Sequence, residues 1–192
     1  MFNDKAKSID SISAGLVAKT GFSETAKAGG VFHVQCFDKD GNLKWEDQMH
    51  NLVVNVGLQD MNTQYFKGSS YTAAFYLGLV TGPGSGTTYA AADTLASHAG
   101  WTEFTNYSGA RKTMTFGTAT TADPSVISNS ASPAQFAITG AGGTVAGAFL
   151  CTVSSGTSGT LFSEADFQSP GDRVVVSGDT LNVTYTFSLD AA

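Results

Sequence analysis

Asp38, Asp40, Gly41 and Asp47 nearly reproduce a calcium loop, in which alternating carboxylates surround a hard cation, a glycine turns the chain and a last acid closes the shell. The pattern breaks at both ends. Its first ligand position is Cys36, its last is the short Asp47 where a longer bidentate Glu is needed, and its flanks alternate like strands. A hairpin turn at Asp38-Lys-Asp-Gly41 is the stronger reading. His33, His50 and His98 are scattered, with no metal-ligand spacing between them. No Gly-x-Ser-x-Gly element, phosphate loop or His-Glu-x-x-His pair occurs. Asp93, His98 and one of many serines make a triad on paper, but a triad is a matter of geometry and not of inventory. The sequence therefore assigns no catalytic residue, no cofactor and no metal site, and the chain is expected not to be an enzyme.

Trp101, Phe104, Tyr107 and Arg111 have the composition of a carbohydrate platform beside a cation. Trp101-Thr-Glu-Phe104 follows a polar loop and leads into a strand, however, so these rings are expected to seal a sandwich edge or a subunit contact. Cys36 and Cys151 lie far apart in strand-like contexts and are expected to be ordinary buried thiols.

The elements that would carry these residues are mostly strands. In Leu181-Asn-Val-Thr-Tyr-Thr-Phe-Ser-Leu189 apolar and polar residues alternate, which puts one face on a core and one outside. Val31–Phe37 and Leu43–Trp45 flank the Asp-Gly turn as a hairpin. Further strands are expected at Ala74–Val80, Arg111–Phe116, Ala134–Thr139, Thr144–Val153, Gly159–Phe162 and Arg173–Val176, about nine in all. Asn55 opens the one helical spacing, with Leu58, Met61 and Tyr65 as its apolar stripe and Gly68 as its stop. The polar stretches 81–88 and 154–159 read as exposed loop tips. The expected fold is all-β: an antiparallel two-sheet sandwich, jelly-roll-like, with one short helix. Residues 1–29 read as an extended N-terminal arm, joined to a body at 30–192 through Ala28-Gly29-Gly30.

At 192 residues such a body can bury about 70% of the unfolded chain's surface without staples. The net charge is −6; the arm, with four lysines against three acids, is slightly basic, and the acid sits on the body. Such a body repels phosphate backbones, so nucleic acid is not an expected partner. Nor is a membrane, because Asp10, Ser11 and Ser13 interrupt the apolar residues near the start and no long apolar run occurs.

Five phrases carry a family likeness: Asp40-Gly-Asn-Leu-Lys-Trp45, Asn51-Leu-Val-Val-Asn-Val-Gly-Leu58, Tyr76-Leu-Gly-Leu79, Ala91-Ala-Asp-Thr-Leu-Ala-Ser-His-Ala-Gly-Trp-Thr-Glu103 and Gly178-Asp-Thr-Leu181. Across residues 31–189 the chain resembles virion structural proteins of tailed bacteriophages. The resemblance implies a β-rich protein made in the host bacterial cytoplasm and built into the virion, as a capsid cement or decoration protein that bridges capsid subunits. The major capsid protein or other virion proteins would be its partners, and a homo-oligomer, dimer or trimer, its working state. Phe2, Ile9, Ile12, Leu16, Val17 and Phe22 are the expected anchors of the arm on a neighbour. The alternatives are a structural role in the neck, tail or fibre base, and a receptor- or glycan-binding module using loops 81–88 and 154–159 and the Trp101 region.

Overall fold

A computed structural model describes residues 26–67, 74–82, 88–167 and 171–191. β1 (Ala26–Phe37) and β2 (Leu43–His50) form the expected hairpin. Its turn closes on its own atoms: Asp38 Oδ1 accepts the Asp40 and Asn42 N–H groups at 2.8 and 2.9 Å, and Gly41 takes a left-handed φ of 84°. On its other edge β1 pairs along its whole length with β13 (Thr180–Ala191). The far edge of β13 is shared by β7 (Ser125–Ser128) and β8 (Ala134–Ala137), which completes the first sheet.

The second sheet runs β3 (Leu52–Val53), β11 (Leu161–Asp166), β10 (Gly147–Cys151) and β4 (Tyr76–Thr81), with β5 (Thr102–Phe104) and β6 (Lys112–Thr113) sharing the outer edge of β4. β9 (Gly143–Val145) and β12 (Arg173–Val175) make a separate ribbon. Every pairing is antiparallel. α1 (Asn55–Lys67) is the single helix among the described residues. Of the expected jelly-roll-like sandwich, the all-β two-sheet sandwich is what these strand orders establish.

Alternation along the strands explains where the core lies. Phe32, Val34 and Cys36 of β1 and Leu181, Val183 and Tyr185 of β13 face Leu77 and Leu79 of β4 and Ala148 and Leu150 of β10, all buried. The residues between them on the second sheet, Val80, Phe149 and Cys151, form a second apolar cluster with Val54, Leu95, Trp101 and Leu161. Successive side chains point to opposite faces, so this sheet is covered on both. That is why all five residues of β10 are buried. Its outer cover is residues 88–101, which bring in Leu95 and Trp101. Glycine at 78 is required there, since the Phe149 ring would lie 2.2 Å from any Cβ.

Two expectations need correcting. The arm boundary at residue 29 falls inside β1: Ala28 and Gly29 pair with Leu189 and Ser188, because ladder hydrogen bonds need no side chains. Gly30 is no joint either, since a Cβ there would lie 2.7 Å from the Thr186 carbonyl oxygen and 2.8 Å from the Tyr185 hydroxyl. The expected stripe of α1 is not its packing face. Leu58 is 41% exposed and Tyr65 83%, while Gly57 is buried directly on the Phe162 backbone. Of the expected stripe only Met61 packs inward, joined by Val56, each on one of the two clusters. A glycine at the contact lets the helix approach β11 more closely than any apolar stripe allows.

Candidate functional site

Among the described residues none of the chemistries read from the sequence assembles. Asp38 is occupied by its own turn, and Asn42, donating to it, holds its carboxyl below the usual range. Asp47 lies opposite Val34 in the hairpin and pairs with Arg173 from β12. The hairpin-turn reading holds. Among the described residues no three His, Cys, Asp or Glu side chains are placed to hold a metal. His98 Nδ1 sits 3.0 Å from the Trp101 carbonyl oxygen and its ring stacks on Trp101 at 3.7 Å, whereas Asp93 caps the Ala90 N–H. The triad's members are thus engaged elsewhere.

Trp101, Phe104 and Tyr107 are at most 6% exposed, so they build core and present no platform. Arg111 is buried too. It forks onto Glu103 with bonds of 2.9 and 2.7 Å, and its guanidinium lies 5.1 Å from the Phe149 ring centre. Cys36 and Cys151 are free and buried; burial pushes the Cys36 thiol up to about 12 and raises that of Cys151. The loop 154–158 is exposed as expected, and 83–87 lies outside the described residues. So do all six expected arm anchors, Phe2, Ile9, Ile12, Leu16, Val17 and Phe22.

What the fold does offer is an apolar surface. α1 turns Leu58, Tyr65 and Phe66 outward, with Tyr65 and Phe66 83% and 77% exposed and packed edge to face at 5.0 Å. Beside them runs a cleft. One part, of about 410 Å³, lies between Met61, Gln64 and Tyr65 of the helix and Phe75, Phe162 and Leu189. A second part, of about 540 Å³, shares Met61, Phe75 and Phe162 and reaches Phe116, Ile127 and Phe187. The register shows why it is open: Phe187 and Leu189 stand opposite Gly30 and Ala28, which have little or no side chain to cover them. The apolar row of β13 thus runs on past the part of the core that fills it. That continuation is legible in the sequence once β1 is known to reach Ala26.

The second feature is a buried carboxyl. Glu164 on β11 has no exposed surface, and Trp101 Nε1 donates to its Oε2 at 2.9 Å. Burial, with the nearby Asp93 carboxylate, pushes its carboxyl up to about 8, and burial also raises Asp166. Sequence reading misses it, because Ser163-Glu164-Ala165-Asp166 reads as a polar exit from a strand. No helix among the described residues is long and apolar enough to cross a membrane. Comparison with known proteins gives no match to a family model, to a curated protein or to a solved structure.

Proposed function

We infer that this protein is a non-enzymatic structural component of a tailed-phage virion, a capsid cement or decoration protein that bridges neighbouring capsid subunits. The observation that supports this reading is the outward face of α1, where Leu58, Tyr65 and Phe66 border an apolar cleft on an otherwise well-filled sandwich. Large exposed apolar patches mark contact sites, and aromatic side chains dominate the buried centres of interfaces. The resemblance to virion proteins supplies the kind of partner.

The mechanism is additive contact. A protein that binds the assembled shell better than its separated subunits stabilises the shell by mass action, and symmetry repeats one modest interface many times. The arm adds a tether, with Phe2, Ile9, Ile12, Leu16, Val17 and Phe22 as its anchors on a neighbouring subunit; their ordering costs entropy that the apolar contacts offset.

Labelled protein imaged on intact particles tests the assignment. Signal over the whole shell is expected; signal confined to the neck or tail refutes the cement role. The double substitution Tyr65→Ala, Phe66→Ala is expected to lower particle incorporation at least tenfold without changing melting temperature, because both rings are already in water. Normal incorporation of that variant removes the helix face from the interface.

A further inference from the structure

The outer cover of the second sheet is fastened at a point where two carboxyl groups meet. Glu164 Oε2 accepts from Trp101 Nε1, while Oε1 is equally buried and makes no well-formed hydrogen bond, the Ala90 N–H of the strap lying near the carboxyl. The Asp93 carboxylate lies within hydrogen-bonding reach of the Glu164 carboxyl. An ionised Glu164, itself shut off from water, is unfavourable against the half-buried Asp93 carboxylate, whereas one proton turns the contact into a short, strong hydrogen bond. We propose that a single proton shared by Glu164 and Asp93 latches residues 88–101 onto the second sheet, and that losing this proton releases the strap.

The geometry is complete for the protonated form. Glu164 Oε1–H donates to Asp93, Oε2 accepts from Trp101, and Asp93 Oδ2 takes the Ala90 N–H at 3.1 Å. Asp93 raises the Glu164 carboxyl and the hydrogen bonds from Trp101 and the Ala90 N–H lower it, and further charged and titratable groups stand around the contact. From the strap come Asp93, Tyr89 and His98, the last stacked on Trp101. From β11 comes Asp166, and from the next loop Asp172, which acts on Asp166 and Tyr89. The Arg111–Glu103 pair lies beyond the Phe149 ring, on which Trp101 packs at 5.0 Å. Burial holds the Glu164 proton to about pH 8. Above that, the proton passes to solvent and leaves two facing negative charges.

Release would reach the helix. The Asn55 N–H, at the start of α1, donates to the Ala91 carbonyl of the strap at 2.8 Å. The latch thereby couples proton uptake to the seating of the element that bears Leu58, Tyr65 and Phe66. The proposal stands on the contact between buried Glu164 and half-buried Asp93 alone and is independent of any role in a particle.

Backbone hydrogen exchange on the full chain, corrected for base catalysis, tests it between pH 6 and 9.5. Protection of residues 88–101 is expected to fall by up to about tenfold per pH unit as pH rises towards 8 and to level off above it, because opening the strap releases the proton that closed Glu164 holds, while β1 and β13 stay protected. In Glu164→Gln the amide donates to Asp93 and accepts from Trp101 at every pH, so protection of the strap is expected to stay flat. Should that variant not fold, Asp93→Asn carries the same test, because its amide can donate to the ionised Glu164. A wild-type strap whose protection does not change between pH 6 and 8 overturns the latch, as does the same loss in either variant.

Discussion

Replacing Gly57 by alanine sets two rules of helix stability against each other. Alanine is the better helix former, by at most about 1 kcal/mol over glycine. In this helix, though, a Cβ at position 57 would lie 2.4 Å from the Phe162 carbonyl oxygen and 3.0 Å from its Cα. Those are backbone atoms of β11 and cannot rotate aside. Relief to an ordinary contact requires α1 to lift by about 1 Å, a gap that forfeits a substantial part of each van der Waals contact beneath it. Overpacking of this kind costs about 1–3 kcal/mol. Contact therefore outweighs propensity, with an expected net loss of about 1–2 kcal/mol, or a melting point lower by about 2–8 °C in a chain of this size. Urea denaturation of Gly57→Ala beside Gly29→Ala measures it, since a Cβ at Gly29 meets nothing within 4 Å and is expected to be neutral or mildly stabilising. Equal or greater stability of Gly57→Ala would refute the account of how α1 is seated.

Two truncations separate arm from body. Removing residues 1–25 is expected to leave a cooperatively folded protein that incorporates poorly into particles, whereas removing 1–29 also takes the Ala26–Gly29 rungs from the β1–β13 ladder and lowers thermal stability; equal melting points for the two refute the longer strand. Both thiols are expected to resist an aromatic disulfide reagent at pH 8 until denaturant is added, because burial keeps them protonated; reaction of either in native buffer refutes its burial. Overall stability is expected to fall as pH rises from the ordinary glutamate range towards 8. The folded state then holds a Glu164 proton that the unfolded chain releases, and each pH unit removes up to about 1.4 kcal/mol. Thermal melts across that range check it, and a flat wild-type profile refutes it.

Elements with a strong period were legible in the sequence. The hairpin, the helix from Asn55 and the alternation of Leu181 to Leu189 all lie where spacing puts them. β3, β5 and β7 were not, because two to four residues cannot display a period of two. Thr144–Val153 reads as one strand but is two, separated at Ala146, whose N–H bonds the Val80 carbonyl and so turns the chain from the ribbon into the second sheet. The candidate surface was half visible. Tyr65 and Leu58 read as apolar helix positions, but only the contact at Gly57 decides which side of the helix faces the sheet. Glu164 was invisible, since its burial depends on a strap more than sixty positions earlier in the chain.

The case for a contact surface rests on what folding already explains. A sheet buried on both faces needs covers that its own strands do not supply. Residues 88–101 and α1 are those covers, and they account for the burial of Leu95, Trp101, Val54 and the helix's inner side. Single exposed apolar residues such as Leu43 or Val174 need no explanation, because much of any protein surface is apolar. Tyr65 and Phe66 differ in being adjacent aromatics, more than three-quarters exposed, on the rim of a cleft that already holds Phe187 and Leu189. Among the described residues neither ring joins a core cluster. Adjacent exposed aromatics on the rim of an apolar cleft are the kind of feature by which contact surfaces are recognised, and that is what favours the proposed interface.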